Sequence, residues 1–277
     1  MIEADASLLE QVRLPQFPRA SRYDPAWQLE NVMGPNALWL AESLSEVLPL
    51  SAGMRVLDLG CGKALSSIFL AREFGARVWA ADLWIPPSEN WERIRAAGAE
   101  HDVVPMRVEA HDLPFAAGFF DAIVSFDAYH YFGTDDLFLA YLAGFLRPEG
   151  RIGIVSPGLT RELEDEPPDH LRPWWEPDFY TFHSAEWWRR LWSRSGRVAV
   201  EVADTVPDGW KQWLQWTELC IKAKAAPMPD YLAWAVSEAE MLRADDGRTF
   251  TLVRVVARED ARPGSSSGAH GTTGDPS

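Results

Sequence analysis

The sequence predicts an α/β fold whose first half is a nucleotide-binding unit of alternating strands and helices and whose second half is elaborated by insertions. Three observations carry this. A buried strand runs through a glycine turn into a helix at Arg55 to Ala64, RVLDLGCGKA. Short apolar strands alternate with segments of helical spacing after it, and an acidic residue, Asp82, stands where the second strand stops.

In the first unit, Val56, Leu57 and Leu59 favour a strand and Asp58 interrupts them, while Gly60, Cys61 and Gly62 form a turn whose backbone a ligand can approach closely. The helix Leu65 to Phe74 carries apolar residues at Leu65, Ile68, Phe69 and Ala71 and stops at Gly75. A second strand, Ala76 to Ala81, follows. Asp82 lies about 20 positions beyond the first glycines, placed to accept hydrogen bonds from ribose hydroxyls. Prolines then open a helix that Gly98 ends, Val103 to Glu109 reads as a third strand, and Phe120 to Phe126 as a fourth after a reverse turn at Ala117 and Gly118. A helix from Thr134 stops at Pro148 and Gly150, before a fifth strand at Arg151 to Ser156. Ahead of all this, a helix runs from about Asn36 to Leu48, its stripe made by Leu38, Ala41, Leu44 and Leu48.

The wording of these turns resembles the class I S-adenosylmethionine (SAM) dependent methyltransferases. Their signature is an acidic residue followed by Gly-x-Gly-x-Gly, and Asp58, Gly60 and Gly62 match it, with Ala64 where the third glycine stands. A dinucleotide fingerprint needs its third glycine at Leu65, so a dehydrogenase is disfavoured. HDLPF at 111 to 115 and the later Leu-Arg-Pro-x-Gly before an apolar strand are also family wording. The resemblance implies a Rossmann-like seven-stranded mixed sheet with helices on both faces and a helical, Trp-rich lid insertion. It implies SAM as cofactor, held by Asp58, Gly60, Cys61, Gly62, Asp82, Leu83, Asp112, Leu113 and Phe126. Asp112 either faces the adenine amino group or caps a helical turn, and Leu83 and Trp84 either pack on the adenine or belong to the core. Tyr23, Met33 and Gly34 of the N-terminal arm either cover the methionine end or pack as an arm.

Chemistry is expected at SFDAYHYFG, 125 to 133, because ligands lie outside the carboxyl ends of the strands in such sheets. Methyl transfer is an in-line displacement helped by positioning, by exclusion of water and, where the acceptor carries a proton, by a base. The expected catalytic residues are His130, as base or as a hydrogen-bonding group, with Asp127 and Tyr129 orienting it; Tyr131 would meet the substrate. The segment is similar to the ubiquinone/menaquinone-type methyltransferases. Cyclopropane fatty acid synthases are similar in outline but carry a Glu-His pair where this chain has His130 and Tyr131, which argues against lipid chemistry.

The second half holds a proline- and aromatic-rich excursion, Gly158 to Phe182, a helix from Ser184, a sixth strand Val198 to Ala203, two helices between Asp208 and Leu242, and a last strand Phe250 to Ala257. Trp174, Trp175, Trp210, Trp213 and Trp216 either frame a substrate pocket under a lid or pack lid against domain. Trp187, Trp188 and Trp192 share a helix that must pack on the sheet. The expected organisation is an N-terminal arm and helix at 1–49 over the cofactor site, a methyltransferase domain at 50–260 with insertions at 158–183 and 207–246, and a disordered Gly/Ser/Thr/Pro tail at 261–277.

Composition sets the remaining bounds. The 277 residues are 47% hydrophobic and 24% charged, ample for one core, with 14 tryptophans. A formal net charge of −15 disfavours nucleic acid and anionic membranes as partners and favours a small neutral or cationic substrate. Two distant cysteines, Cys61 and Cys220, give neither a disulfide framework nor a metal site. The acidic N-terminus and the lack of a long apolar run read as cytoplasmic, without membrane insertion. Two rival readings stand beside small-molecule methyl transfer: a lipid modification of the cyclopropane synthase kind and a non-catalytic SAM-binding module.

Overall fold

The computed structural model describes residues 2–163 and 166–260. Seven strands form one mixed sheet in the order β3-β2-β1-β4-β5-β7-β6: β1 Arg55–Leu59, β2 Arg77–Asp82, β3 Val103–Arg107, β4 Phe120–Phe126, β5 Leu146–Leu159, β6 Val198–Thr205 and β7 Phe250–Glu259. The first five run parallel, with Leu57 opposite both Trp79 and Ile123; β7 lies antiparallel between β5 and β6. Chain order reverses between β1 and β4, so their carboxyl ends open a crevice there.

Alternation along the strands builds two cores. Val56, Val78, Val103, Ala122 and Val124 face helices α3 (Ala37–Ser45) and α4 (Leu65–Phe74), while Leu57, Leu59, Ile123, Ile152 and Val255 face α7 (Ala185–Arg194) on the other side. Asn36 caps α3 by accepting from the backbone N–H groups of Leu38 and Trp39. Gly75 closes α4 in the left-handed conformation, φ 65°. Trp188 and Trp192 of α7 are fully buried.

The arm before the sheet forms α1 (Ala6–Glu10), α2 (Pro25–Glu30) and α3. The insertion between β6 and β7 forms α8 (Gly209–Lys222) and α9 (Tyr231–Asp245), which pack on one another and, through α8, on β7. Two short helices complete the chain, α5 (Pro87–Ala96) and α6 (Phe138–Ala143). Differences from the sequence reading lie at element ends. β3 stops at Arg107 instead of Glu109, β5 begins at Leu146 instead of Arg151 and runs on to Leu159 because β7 pairs with it from Arg151 to Leu159, and α6 starts at Phe138 because Asp135 caps the turn before it. The tail expected at 261–277 lies outside the described residues. No helix among the described residues is long and apolar enough to cross a membrane.

Candidate active site

The glycine turn after β1 is clamped onto the end of β2. The N–H groups of Gly60 and Cys61 both donate to the Ala81 carbonyl, at 2.8 and 3.1 Å. Gly60 sits at φ 75°, and a β-carbon there would collide with that of Ala128 beyond β4, so glycine is required twice over. Ala64, where the family signature has its third glycine, adopts φ 62°, the left-handed conformation glycine takes without cost.

Asp82 completes the clamp. Its Oδ2 accepts from the Gly62 N–H at 2.8 Å, and its Oδ1 accepts from Trp84 and Ile85 at 2.8 and 2.9 Å. These N–H groups fix the carboxylate, and spare lone pairs remain for ligand hydroxyls. Asn90 of α5 donates to the Gly62 carbonyl at 2.8 Å and ties the turn from behind.

These groups open onto one cavity of about 210 Å³. Its floor is made by Gly60–Lys63, Asp82–Trp84, Val108–Ala110 and Phe126–Ala128, and its roof by the arm from Asn31 to Ala37 together with Trp216 of α8. Met33 covers Gly62, and the Trp216 Nε1–H donates to the Gly34 carbonyl at 2.9 Å. Gly34 in turn lies so close to Asp127 that a β-carbon would strike the carboxylate. Among the described residues the Asp127 carboxylate has no hydrogen-bond partner, and burial followed by the charge of Glu238 holds it well above the usual carboxylate range. Asp127 leaves β4 at φ 52° with its own N–H bonded to the Val155 carbonyl. Glu109 keeps its carboxylate charged through the His111 ring and the His111 N–H, both at 2.9 Å, which lower its pKa. Lys63 is the cation in the lining; burial lowers its pKa, and its Nζ reaches the Val32 carbonyl.

Gly60, Cys61, Gly62, Asp82, Leu83, Phe126, Met33, Gly34, Asp127, Tyr131 and Trp216, expected from the sequence, all line the cavity. Several expected residues do not. Asp58 is fully buried beneath the turn, where its Oδ2 accepts from the hydroxyls of Ser66 and Ser67 at 2.6 Å each, so it fastens β1 to the start of α4. Tyr23 lies on the far side of α4, bonded to Glu73 and packed on Phe69. Asp112 is exposed and Leu113 is turned inward below Tyr141, because β3 ends early and brings Glu109 and Ala110 to the sheet edge instead.

Tyr129 is a core residue, wholly buried among Phe132, Phe138, Trp188 and Trp192. His130 is 1% exposed between Tyr131 and Phe182, outside the cavity lining, with both ring nitrogens unpartnered among the described residues. Burial pushes its pKa down to about 3, which keeps the imidazole neutral and makes it a poor base. Trp175 stacks on Phe250, Trp213 packs on Phe182 and Phe250, Trp210 sits over Gly247, and Trp174 lies against α9; none of the four reaches the cavity. Glu109, Ala110, Lys63 and Ala128 were missed. The signal for the first two was their place at the carboxyl end of the third strand, where ligands lie in such sheets.

Residues 56–150 match the family described as a methyltransferase domain. Over that stretch the sequence is a class I SAM-dependent methyltransferase domain, a kind whose cofactor is SAM. The chain is similar to methyltransferase GfsG of Streptomyces halstedii, 31% identical over 165 residues that cover 58% of this chain and 55% of that protein. It is also similar to erythromycin 3''-O-methyltransferase of Saccharopolyspora erythraea, 31% identical over 192 residues, 64% of this chain and 61% of the relative. The chain thus spans little more than half the length of these curated relatives. The solved structure of a putative sarcosine dimethylglycine methyltransferase from Galdieria sulphuraria shares the fold, with a TM-score of 0.65 at 21% identity over 86% of this chain and 87% of that one. The cradle suits the cofactor of such a domain: two glycines leave backbone free to be approached, and a fixed carboxylate stands beside them.

Proposed function

We propose that this chain transfers the methyl group of SAM to a small-molecule acceptor inside the cavity roofed by the arm and Trp216. The observation that carries the reading is convergence: the Gly60–Gly62 turn, the Asp82 carboxylate and the end of β4 at Asp127 all open onto the same space. Bound there, SAM supplies a methyl carbon activated by its sulfonium. Asp82 receives the ribose hydroxyls, Leu83, Glu109 and Ala110 border the base, and the backbone at Gly60 and Gly62 admits the methionine part.

Met33, Gly34 and Trp216 close the roof and keep water from the reacting centre, and a held geometry supplies much of the rate. The aromatic lid contracts, in this reading, to Trp216 with Tyr131 at the mouth. His130 serves packing. An overall charge of −15 turns the protein away from nucleic acid acceptors and suits a cationic cofactor.

Calorimetry on the full chain tests the cofactor site. SAM and its demethylated product S-adenosylhomocysteine (SAH) should both give binding heat, and Gly60→Ala should weaken both at least tenfold, through the collision with Ala128 and the strain at φ 75°. No heat with the unaltered chain overturns the reading. Binding without acceptor-dependent SAH release across amines, alcohols, thiols and carbon acids would leave a cofactor-binding module.

A further inference from the structure

The carboxylate of Asp127 lines the cavity at the seam of three chain segments, without a partner among the described residues. Its own segment leaves β4, Gly34 of the arm lies against it, and Trp216 of α8 holds the Gly34 carbonyl. Carboxylates removed from water are paired or become neutral, because the charge is costly to desolvate alone. Asp127 is half-buried, and among the described residues nothing pairs with its carboxylate. The charged groups that act on the seam are Glu238 from α9 and, through the Tyr131 phenol, Asp178 from the excursion. Lys63, the cation of the lining, is engaged with the Val32 carbonyl. On the outer side, Tyr131 (53% exposed) and Trp84 (71% exposed) stand with ring centroids 6.3 Å apart and form an apolar mouth.

Resting on the proposed function, we infer that the acceptor is an amine with an apolar body: its ammonium is received by Asp127 and its body by the rings of Tyr131 and Trp84. Carboxylate and ring faces together select a cation over an isosteric alcohol, since only the cation pairs with the ionised carboxylate and lies favourably on the ring faces. In the reaction one N–H proton of the ammonium passes to the Asp127 carboxylate. The freed nitrogen lone pair forms the C–N bond to the methyl carbon as the C–S bond breaks, its electron pair staying on sulfur. The product leaves as the N-methylammonium, and Asp127 gives its proton to water. The raised pKa of Asp127 suits a group that must hold a proton for part of the cycle.

The test uses the full chain with SAH bound and two matched pairs of probes, 2-phenylethylamine against 2-phenylethanol and tryptamine against tryptophol. In calorimetry the amines should bind at least tenfold more tightly than their alcohols. Asp127→Asn should cut amine affinity at least tenfold while alcohol and SAH affinities stay within twofold, asparagine being well suited to φ 52°. Alcohols that bind as well as amines, or an unchanged amine affinity in the variant, overturn the inference. So does an SAH affinity that falls in step with the amine's, which would give the carboxylate to the cofactor's own ammonium. SAH heat with no amine heat sinks this inference alone; no SAH heat sinks the transferase reading beneath it. Should the variant fail to fold by circular dichroism, the amine-to-alcohol ratio of the unaltered chain decides.

Discussion

Asp58 and Glu238 are buried carboxylates whose hydrogen-bond partners are hydroxyls instead of cations. Burial raises Asp58 to about 6 against the two serines that partly hold it down, and raises Glu238 to about 7 against the Thr217 hydroxyl at 2.7 Å. A folded pKa above the unfolded one means that the native state binds the extra proton. Stability from Glu238 is therefore complete below its unfolded value of 4.5 and is lost as pH rises through about 7. The loss is on the order of 3 kcal/mol. His130 has the opposite sign: its pKa falls from 6.5 to about 3, so its contribution is complete above 6.5 and is lost as pH falls toward 3. Comparing variant with parent isolates the glutamate. Glu238→Gln should melt higher than the parent at pH 8, and the gap should close by pH 4; an equal gap at both, in thermal denaturation, would show that Glu238 is not held protonated by burial.

At the scale of the element, α7 shows a helix whose sequence states both its start and its buried face. Ser184 accepts from the Trp187 N–H at 3.2 Å, and Trp188 and Trp192 then fall on the sheet side at a spacing of one turn. Both are fully buried in the core shared with Tyr129 and Val255. Trp188→Ala should cost about 3–5 kcal/mol of unfolding free energy, as truncation of a buried aromatic leaves a cavity. Trp84→Ala, by contrast, removes a ring that is 71% exposed and should move stability by no more than about 0.5 kcal/mol. Denaturant titration of the two variants checks the contrast. Similar losses in both would mean that Trp84 is packed and is no part of a mouth.

Across the whole molecule the site is assembled from parts far apart in the chain. Gly34, Asp127 and Trp216 meet at one seam, and α8 is strapped to the arm by the Gln215 amide donating to the Gln11 carbonyl at 3.3 Å and by the Lys224–Glu3 ion pair at 2.6 Å. The exposed ion pair contributes little, so the Trp216 hydrogen bond is the main polar tie between α8 and the roof. Trp216→Phe removes it and keeps the ring against Trp39. SAH affinity should fall threefold to tenfold, about 1 kcal/mol, in calorimetry. An unchanged affinity would mean that the roof holds without α8.

Local pattern was enough for the alternation of strands and helices, the extents of α4 and β4 to the residue, the glycine turn and Asp82, because each is written in a period or a turn requirement that neighbours along the chain impose. It also marked Asp127, Met33, Gly34 and Trp216, which line the cavity. Tertiary structure decided which marked residues face that space. Glu109 took the place expected for Asp112 because pairing ends β3 two residues early, and Tyr129 and His130 turned into the packing of α7 and Phe182 while their neighbours Asp127 and Tyr131 opened outward. Four of five marked tryptophans were absorbed into packing within and beneath the insertions. The reason is physical: period fixes the conformation of a segment, but the direction a side chain faces at a strand's end depends on surfaces brought up from a hundred residues or more away.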